Sequence, residues 1–235
     1  MSLPLFYIPD LAGANLTLDE DTSKHIIQVL RKKIGDDVLL TDGKGTKAFC
    51  SITDDNRKRC VVRVMTTETD PPPAIRTAIG ISLVKNATRF EWFLEKATEI
   101  GISEIIPLIC SRTEKEKFRF DRMQGILVSA MLQSQQVRLP VLHQPSELKP
   151  VYQLPFEQKF IAHCDDGERT SLAACVHKNT ASQLVLIGPE GDFTPEEINE
   201  ALRNGFQPVT LGTTRLRTET AAMVASVLLK LRDDG

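Results

Sequence analysis

The stretch LIGPEGDFTPEEINEA, residues 186–201, decides how this chain is read. Its apolar start continues a run from Gln183 to Ile187 and has the composition of a strand buried on both faces. The run stops at Gly188-Pro189-Glu190-Gly191-Asp192, and a helix opens. Thr194 suits an N-cap, Pro195 the first helical position, and Glu197 completes a capping box. Glu196 and Glu197 therefore read as structural, which leaves Gly-Pro-Glu-Gly-Asp without a capping explanation. Its glycines let backbone approach a ligand closely, and its proline stiffens the turn. Amide donors beside the Glu190 carboxylate suit a ligand that carries both acceptors and a cation; a plain tight turn is the alternative. A second stretch, LGTTRLRTETAA at 211–222, repeats the layout of strand, glycine-bearing loop and helix. Arg215 and Arg217 precede a helix N-terminus, where the dipole favours anions; Glu219 is well placed there and Thr218 can cap. The two arginines gain nothing from the dipole. They either pair with Glu219 within the loop or hold an anion or RNA.

Outward from these loops, strands and helices alternate. RTAIGISLV, SEIIPLIC, QKFIAHC, SQLVLIG and QPVTLG read as strands. ATRFEWFLEKATEIG, the segment around FDRMQGILVSAMLQSQQ, the short SLAACVHK, PEEINEALRNG and ETAAMVASVLLKLR read as helices. Such alternation predicts an α/β domain with a mostly parallel sheet covered on both faces. Trp92 and Phe93 read as core. The ligand crevice of such a sheet lies beyond the carboxyl ends of its strands. Three of those ends are chemically rich: the two loops above and the segment 162–167, where His163 closes a strand either as a hydrogen-bonded spacer or near a ligand.

Before residue 70 the pattern differs. LFYI, DDVLLTD, KAFCSIT and RCVVRVMT are short and rich in β-branched or aromatic residues, with turns at 42–45 and 54–56. One helix, SKHIIQVLRKK, interrupts them, with Ser23 as its expected N-cap and His25, Ile26, Val29 and Leu30 at helical spacing. Three prolines at 71–73 cannot continue a sheet or a helix. The expected division is therefore a small barrel over 1–70, one opening covered by the helix, and the α/β domain over 71–235.

Composition bounds the possibilities. Hydrophobic residues make up 41% of the 235 and charged ones 26%, as in a soluble globular protein, and no run approaches a membrane span. The N-terminus lacks the pattern of a secretory signal, so a cytoplasmic protein is expected. Five cysteines without a C-x-x-C pair argue against disulfides and a structural metal, and read as small buried hydrophobes. A net charge of −2 does not announce nucleic acid, but Arg31 and Lys32 follow an apolar helix face and are either solvated charge or phosphate contacts.

LIGPEGDF followed by LGTTRLRTETA resembles the paired signature of the SPOUT superfamily, and within it the methyltransferases that act on N3 of a uridine in small-subunit (16S) ribosomal RNA. The likeness extends over the chain: FEWFLEKATEIGISEIIPL and HIIQVLRKKIGD are similar to segments of that family, and Ser111-Arg112-Thr113 to its Ser-Arg element. Asp192 stands where the family form has Gly. Thr214-Arg215 replaces Arg-Ile, and Leu132–Gln136 replaces Glu-Gln-Ser-Gly-Arg, with Arg138 shifted. The resemblance implies a C-terminal trefoil knot, a PUA-like RNA-gripping barrel, a homodimer, and S-adenosylmethionine as cofactor. It implies cofactor contacts from His163, Ile187, Gly188, Pro189, Glu190, Gly191, Leu211, Gly212, Leu216, Arg217, Thr218 and Thr220. RNA contacts would come from Arg31, Lys32, Arg112, Arg138 and Arg215, with the RNA held in an assembled 30S particle. Arg217 would stabilise charge developing on the base, and Glu219 would orient it or accept the N3 proton. Other readings are a SPOUT enzyme of ribose or transfer RNA, a non-catalytic RNA-binding assembly protein, and a phosphate-binding α/β enzyme, the last disfavoured by the absence of a G-x-G-x-x-G or Walker loop.

Overall fold

The computed structural model describes residues 3–114, 117–164, 169–177 and 179–233. The chain divides into two compact units: Met1–Pro72 with Met131–Leu139, and Pro73–Ala130 with Pro140–Gly235.

The first unit is built on β1 (Leu5–Tyr7), β2 (Asn15–Thr17), α1 (Glu20–Lys24), β3 (Asp37–Thr41), β4 (Thr46–Asp54) and β5 (Val61–Thr69). The strands lie in the order β1-β3-β4-β5-β2; β1 pairs parallel to β3 and the others pair antiparallel. In β4 every second residue, Ala48, Cys50 and Ile52, is buried, the two-residue period that one packed face imposes. Register shifts between Phe49 and Cys50 and between Ile52 and Asp54 curl the sheet around a core that includes Phe6, Leu18, Ile26, Val38, Leu40 and Val62.

The helix departs from its expected form. Asp19 caps it, accepting from the Thr22 amide at 2.9 Å, and Ser23 lies buried inside. The Ser23 hydroxyl donates to the Leu18 carbonyl at 3.3 Å and accepts from the Cys60 amide at 2.9 Å, tying the helix to the start of β5. After Lys24 the chain widens into a π turn, His25–Val29, closed by the Leu30 amide on the His25 carbonyl at 3.0 Å. A bond spanning five residues breaks the helical phase. Of the four residues expected on one apolar face, Ile26 alone is buried; Val29 is 67% exposed.

Residues 131–139 return to this unit. The Val137 carbonyl accepts from the Gly45 amide at 2.9 Å and the Thr41 hydroxyl at 3.3 Å, and Leu139 donates to Gly43 at 2.8 Å. Arg138 donates to the carbonyls of Lys44, Pro71 and Asp70. Nothing in residues 131–139 themselves announces this partnership.

The second unit contains β6 (Arg76–Ser82), α2 (Ala87–Ile100), β7 (Glu104–Ile109), α3 (Phe120–Gln133, whose last turn runs into the first unit), β8 (Val141–Leu142), β9 (Ser146–Glu147) and α4 (Leu148–Tyr152). It continues through β10 (Gln158–Ala162), β11 (Thr170–Ser171), α5 (Leu172–Cys175), β12 (Ser182–Ile187), α6 (Pro195–Arg203), β13 (Gln207–Thr210) and α7 (Thr218–Asp233). The sheet order is β11-β13-β10-β12-β6-β7-β8, with β9 on β7, and its pairings are parallel. Both faces are covered. Tyr152, Ile198 and Phe206 pack with Ala78, Ile106, Leu184 and Leu186, while α7 lies against β6 and β12 on the side to which the alternate residues turn. This is why all six residues of β12 are buried. Within α2, Phe93 is core, as expected. Trp92, one position on around the helix, is 44% exposed.

Candidate active site

The sheet order places β10 between β12 and β13. Two loops far apart in sequence therefore leave the sheet on either side of one strand, whose end carries His163 and Cys164. Thr218 joins them: its buried hydroxyl donates to the Gly188 carbonyl at 3.0 Å. Thr218 is thus the first residue of α7 rather than its cap, and the Arg217 carbonyl accepts the first helical bond from Ala221 at 2.8 Å.

The first loop is built with little freedom. A side chain at Gly188 would stand 3.0 Å from the ring of Phe193, which is buried in the core, so close approach favours glycine there. Thr194 and Glu197 form the expected capping box, and the Glu197 carboxylate also accepts from the Ser111 amide at 2.8 Å. Asp192 has a left-handed φ of 64°. It is held there by its own carboxylate, which accepts from Phe193 N at 2.8 Å and from Cys164 N at 2.7 Å. The aspartate where the resemblance leads one to expect glycine thus keeps the backbone conformation and adds a tie to the end of β10. Arg112 completes the support, donating to the Gly191 carbonyl at 2.6 Å. Its guanidinium positions the loop, and that of Arg138 is likewise engaged with backbone carbonyls in the first unit. In the second loop Gly212 adopts φ 142°, and the Thr210 hydroxyl donates to its carbonyl at 2.8 Å.

Two cavities open here and share Ala162, Cys164, Ile187, Arg215, Leu216 and Ala221. The larger, about 570 Å³, adds His163, Arg169 and the loop from Val209 to Thr214. The smaller, about 430 Å³, adds Arg89, Gly188, Pro189, Glu190, Asp192, Arg217 and Thr218. Both volumes suit small-molecule sites. Of the expected cofactor contacts, His163, Ile187, Leu211, Gly212 and Leu216 line the larger cavity. Gly188, Pro189, Glu190, Arg217 and Thr218 line the smaller. Gly191 and Thr220 line neither, Gly191 being turned towards Arg112.

Glu219 was expected to orient Arg217. Its carboxylate instead faces Arg89, with Oε1 3.7 Å from Arg89 Nε, while Arg89 Nη1 donates to Glu190 Oε1 at 3.1 Å. One guanidinium therefore holds a carboxylate from each loop. The side chain of Glu219 is only 9% exposed, and its Oε2 is buried without a hydrogen-bond partner among the described residues. Neither Arg215 nor Arg217 forms an ion pair among the described residues, so pairing within the loop is not what holds them. Arg89 was not singled out in the sequence. It sits in the first turn of α2, where the dipole disfavours a cation, the same oddity that drew attention to Arg215 and Arg217.

Four cysteines are buried and unpaired, whereas Cys164, expected with them, is exposed at both cavities. Burial pushes the Cys50 and Cys60 thiols up to about 11 and the Cys110 thiol up to about 12.

Residues 71–230 match the family described as RNA methyltransferase domain, and residues 18–65 the RNA methyltransferase PUA domain. The ribosomal RNA small subunit methyltransferase E of Mycobacterium bovis is 30% identical, over 94% of this chain and 88% of its own length. The protein of that name from Bacillus subtilis is 27% identical, over 86% and 84%. A crystal structure of a probable rRNA-methyltransferase from Porphyromonas gingivalis superposes with a TM-score of 0.92 at 36% identity, covering 99% of both chains. That of a ribosomal RNA small subunit methyltransferase E from Neisseria gonorrhoeae, bound to S-adenosyl methionine, gives 0.87 at 27% identity over 98% of both. With the methyltransferase model spanning some two thirds of its length and the PUA model ahead of it, this chain belongs to the RNA methyltransferase family.

Proposed function

We propose that this protein methylates N3 of a specific uridine in small-subunit (16S) ribosomal RNA, with S-adenosylmethionine as methyl donor. The observation that carries the reading is the pair of cavities that share Arg215 and Leu216 in their lining: the larger suits the donor and the smaller the base. The names of the curated relatives and the cofactor-bound neighbours support the substrate class and the donor.

The residues present fit the donor. Gly212 offers backbone at the wall of the larger cavity, and Ala162, Ile187, Val209 and Ala221 offer apolar surface for a purine. When bound, S-adenosylmethionine supplies a methyl group on a sulfonium, open to in-line displacement. The protein must position the uracil and manage the N3 proton, because N3 is a poor nucleophile until that proton leaves. Arg217, at the smaller cavity and in no ion pair among the described residues, stabilises the negative charge that spreads onto the base. Glu219 is the candidate acceptor of the proton. It lines neither cavity but directly follows Thr218 of the smaller one; its buried Oε2 has no hydrogen-bond partner among the described residues, and Arg89 faces its other oxygen.

The first unit grips the RNA. Arg31 stands exposed and Lys32 partly exposed on the turn after the π segment, beside exposed Val29 and Ile34. The division near residue 70 separates this RNA-gripping barrel from the catalytic domain, whose C-terminal loops form the trefoil knot. A second copy completes the enzyme: α2 and α7 pack together and leave Trp92, Val227 and Leu231 exposed, an apolar surface suited to a homodimer. No helix among the described residues is long and apolar enough to cross a membrane, which accords with work in the cytoplasm on a 30S particle.

Mass spectrometry of ribosomal RNA from a strain lacking the gene tests the reading. N3-methyluridine should vanish from the small subunit and return on complementation. Loss of a different modification would redirect the assignment, and an unchanged profile would end it.

A further inference from the structure

We propose that Arg169 anchors the carboxylate at the methionine end of the cofactor, an assignment that rests on the donor reading of the larger cavity. Arg169 lines that cavity and not the smaller one. Its Nη1 donates to the His163 carbonyl at 2.5 Å, which fixes the plane of the guanidinium against the end of β10. Its Nε is shut away from solvent and has no hydrogen-bond partner among the described residues. A buried cationic N–H without an acceptor is costly, and native structures rarely tolerate one that no ligand or water relieves. No acidic side chain lines the larger cavity among the described residues, whereas two arginines do; Glu190 and Asp192 belong to the smaller one. Among its described lining residues the larger cavity thus carries cations and no anion, which suits an anionic group on the ligand. Nε and Nη2 of one guanidinium form a fork that matches a carboxylate in two parallel bonds, a match lysine cannot reproduce. The methionine end is the part of the donor that carries a carboxylate, so this fork distinguishes the whole cofactor from its nucleoside portion.

The test measures two ligands by calorimetry on the full-length protein: S-adenosylhomocysteine, which keeps the amino-acid end, and 5′-methylthioadenosine, which lacks it. In Arg169→Ala the first should bind about 10- to 100-fold more weakly, the loss of a charge-assisted pair. The second should change less than about twofold, which also reports that the cavity remains folded. Arg169→Lys should fall between, because it restores charge without the fork. Equal losses for both ligands would show a merely structural arginine and overturn the assignment, as would unchanged binding of both. If the wild-type protein bound neither ligand, the donor reading itself would fail, an outcome visible before any variant is made.

Discussion

Arg89 sits where three separate features of the chain converge: the first turn of α2, the Gly-Pro-Glu-Gly-Asp loop through Glu190, and the start of α7 through Glu219. Its pair with half-exposed Glu190 contributes little to stability. Its pair with Glu219 matters more, because removing the cation leaves a nearly buried carboxylate uncompensated. Arg89→Met should therefore reduce methyl transfer by about 100-fold, in the range for loss of one preorganised charge, with S-adenosylhomocysteine affinity nearly unchanged. Radiolabelled methyl incorporation beside calorimetry checks this; a variant with wild-type turnover would free Glu219 of any catalytic dependence on Arg89. Arg217→Ala should abolish transfer while cofactor affinity stays within a few-fold, since its side chain faces the smaller cavity. Retained transfer would move charge stabilisation to Arg215, which lines the same cavity.

Among the elements, the loop at 188–194 and the helix α1 show how a single carboxylate sets local structure. Asp192 combines a left-handed backbone with two amide hydrogen bonds to its side chain. Asp192→Gly loses the bonds but accepts the φ; Asp192→Ala loses both and should cost about 1 kcal/mol more. Melting temperatures should rank wild type, glycine, alanine in descending order, and an alanine variant as stable as the glycine one would refute the strain argument. In α1, burial tends to raise the Asp19 carboxyl, but hydrogen bonds from the Thr22 amide and hydroxyl outweigh it and hold Asp19 below its ordinary 3.8. A depressed folded value means the cap stabilises above that ordinary value and loses its contribution as pH falls through the folded one. Asp19→Ala should cost about 1 kcal/mol at neutral pH. The gap between wild type and variant in urea titrations should close as the solution is taken below pH 3.8.

At the scale of the molecule, the first unit is not a contiguous stretch of sequence. Residues 131–139 supply bonds to Thr41, Gly43 and Gly45, and Arg138 clamps Lys44, Asp70 and Pro71. A fragment ending at residue 72 would keep its strands yet leave those groups of the β3–β4 turn without their partners. It should unfold with low cooperativity, and addition of a peptide covering 131–139 should sharpen the transition. A fragment that melts as a single steep transition by itself would show that the returning segment decorates the unit rather than completes it.

Local chemistry is written in neighbouring residues, and there the chain was readable by itself. The buried run before Gly188, the capping box at Thr194 and Glu197, and the alternation in β4 follow from spacing alone, because helix and strand periods are properties of a few consecutive residues. The paired loops were legible as candidate sites for the same reason. The two- and three-residue strands β2, β8, β9 and β11 were not, since so short a run has no period to read. Nor was the exposure of Val29, Leu30 and Trp92: the π turn shifts the phase of one helix, and α2 turns Trp92 away from the core that Phe93 enters. Tertiary structure alone decided that β10 separates the two loops and that Thr218 bonds across to Gly188. It alone decided that Glu219 answers to Arg89, 130 positions earlier, and not to its neighbour Arg217. Sequence order sets who is near along the chain; the order of strands in a sheet sets who is near in space, and a carboxylate pairs with the cation that burial brings to it.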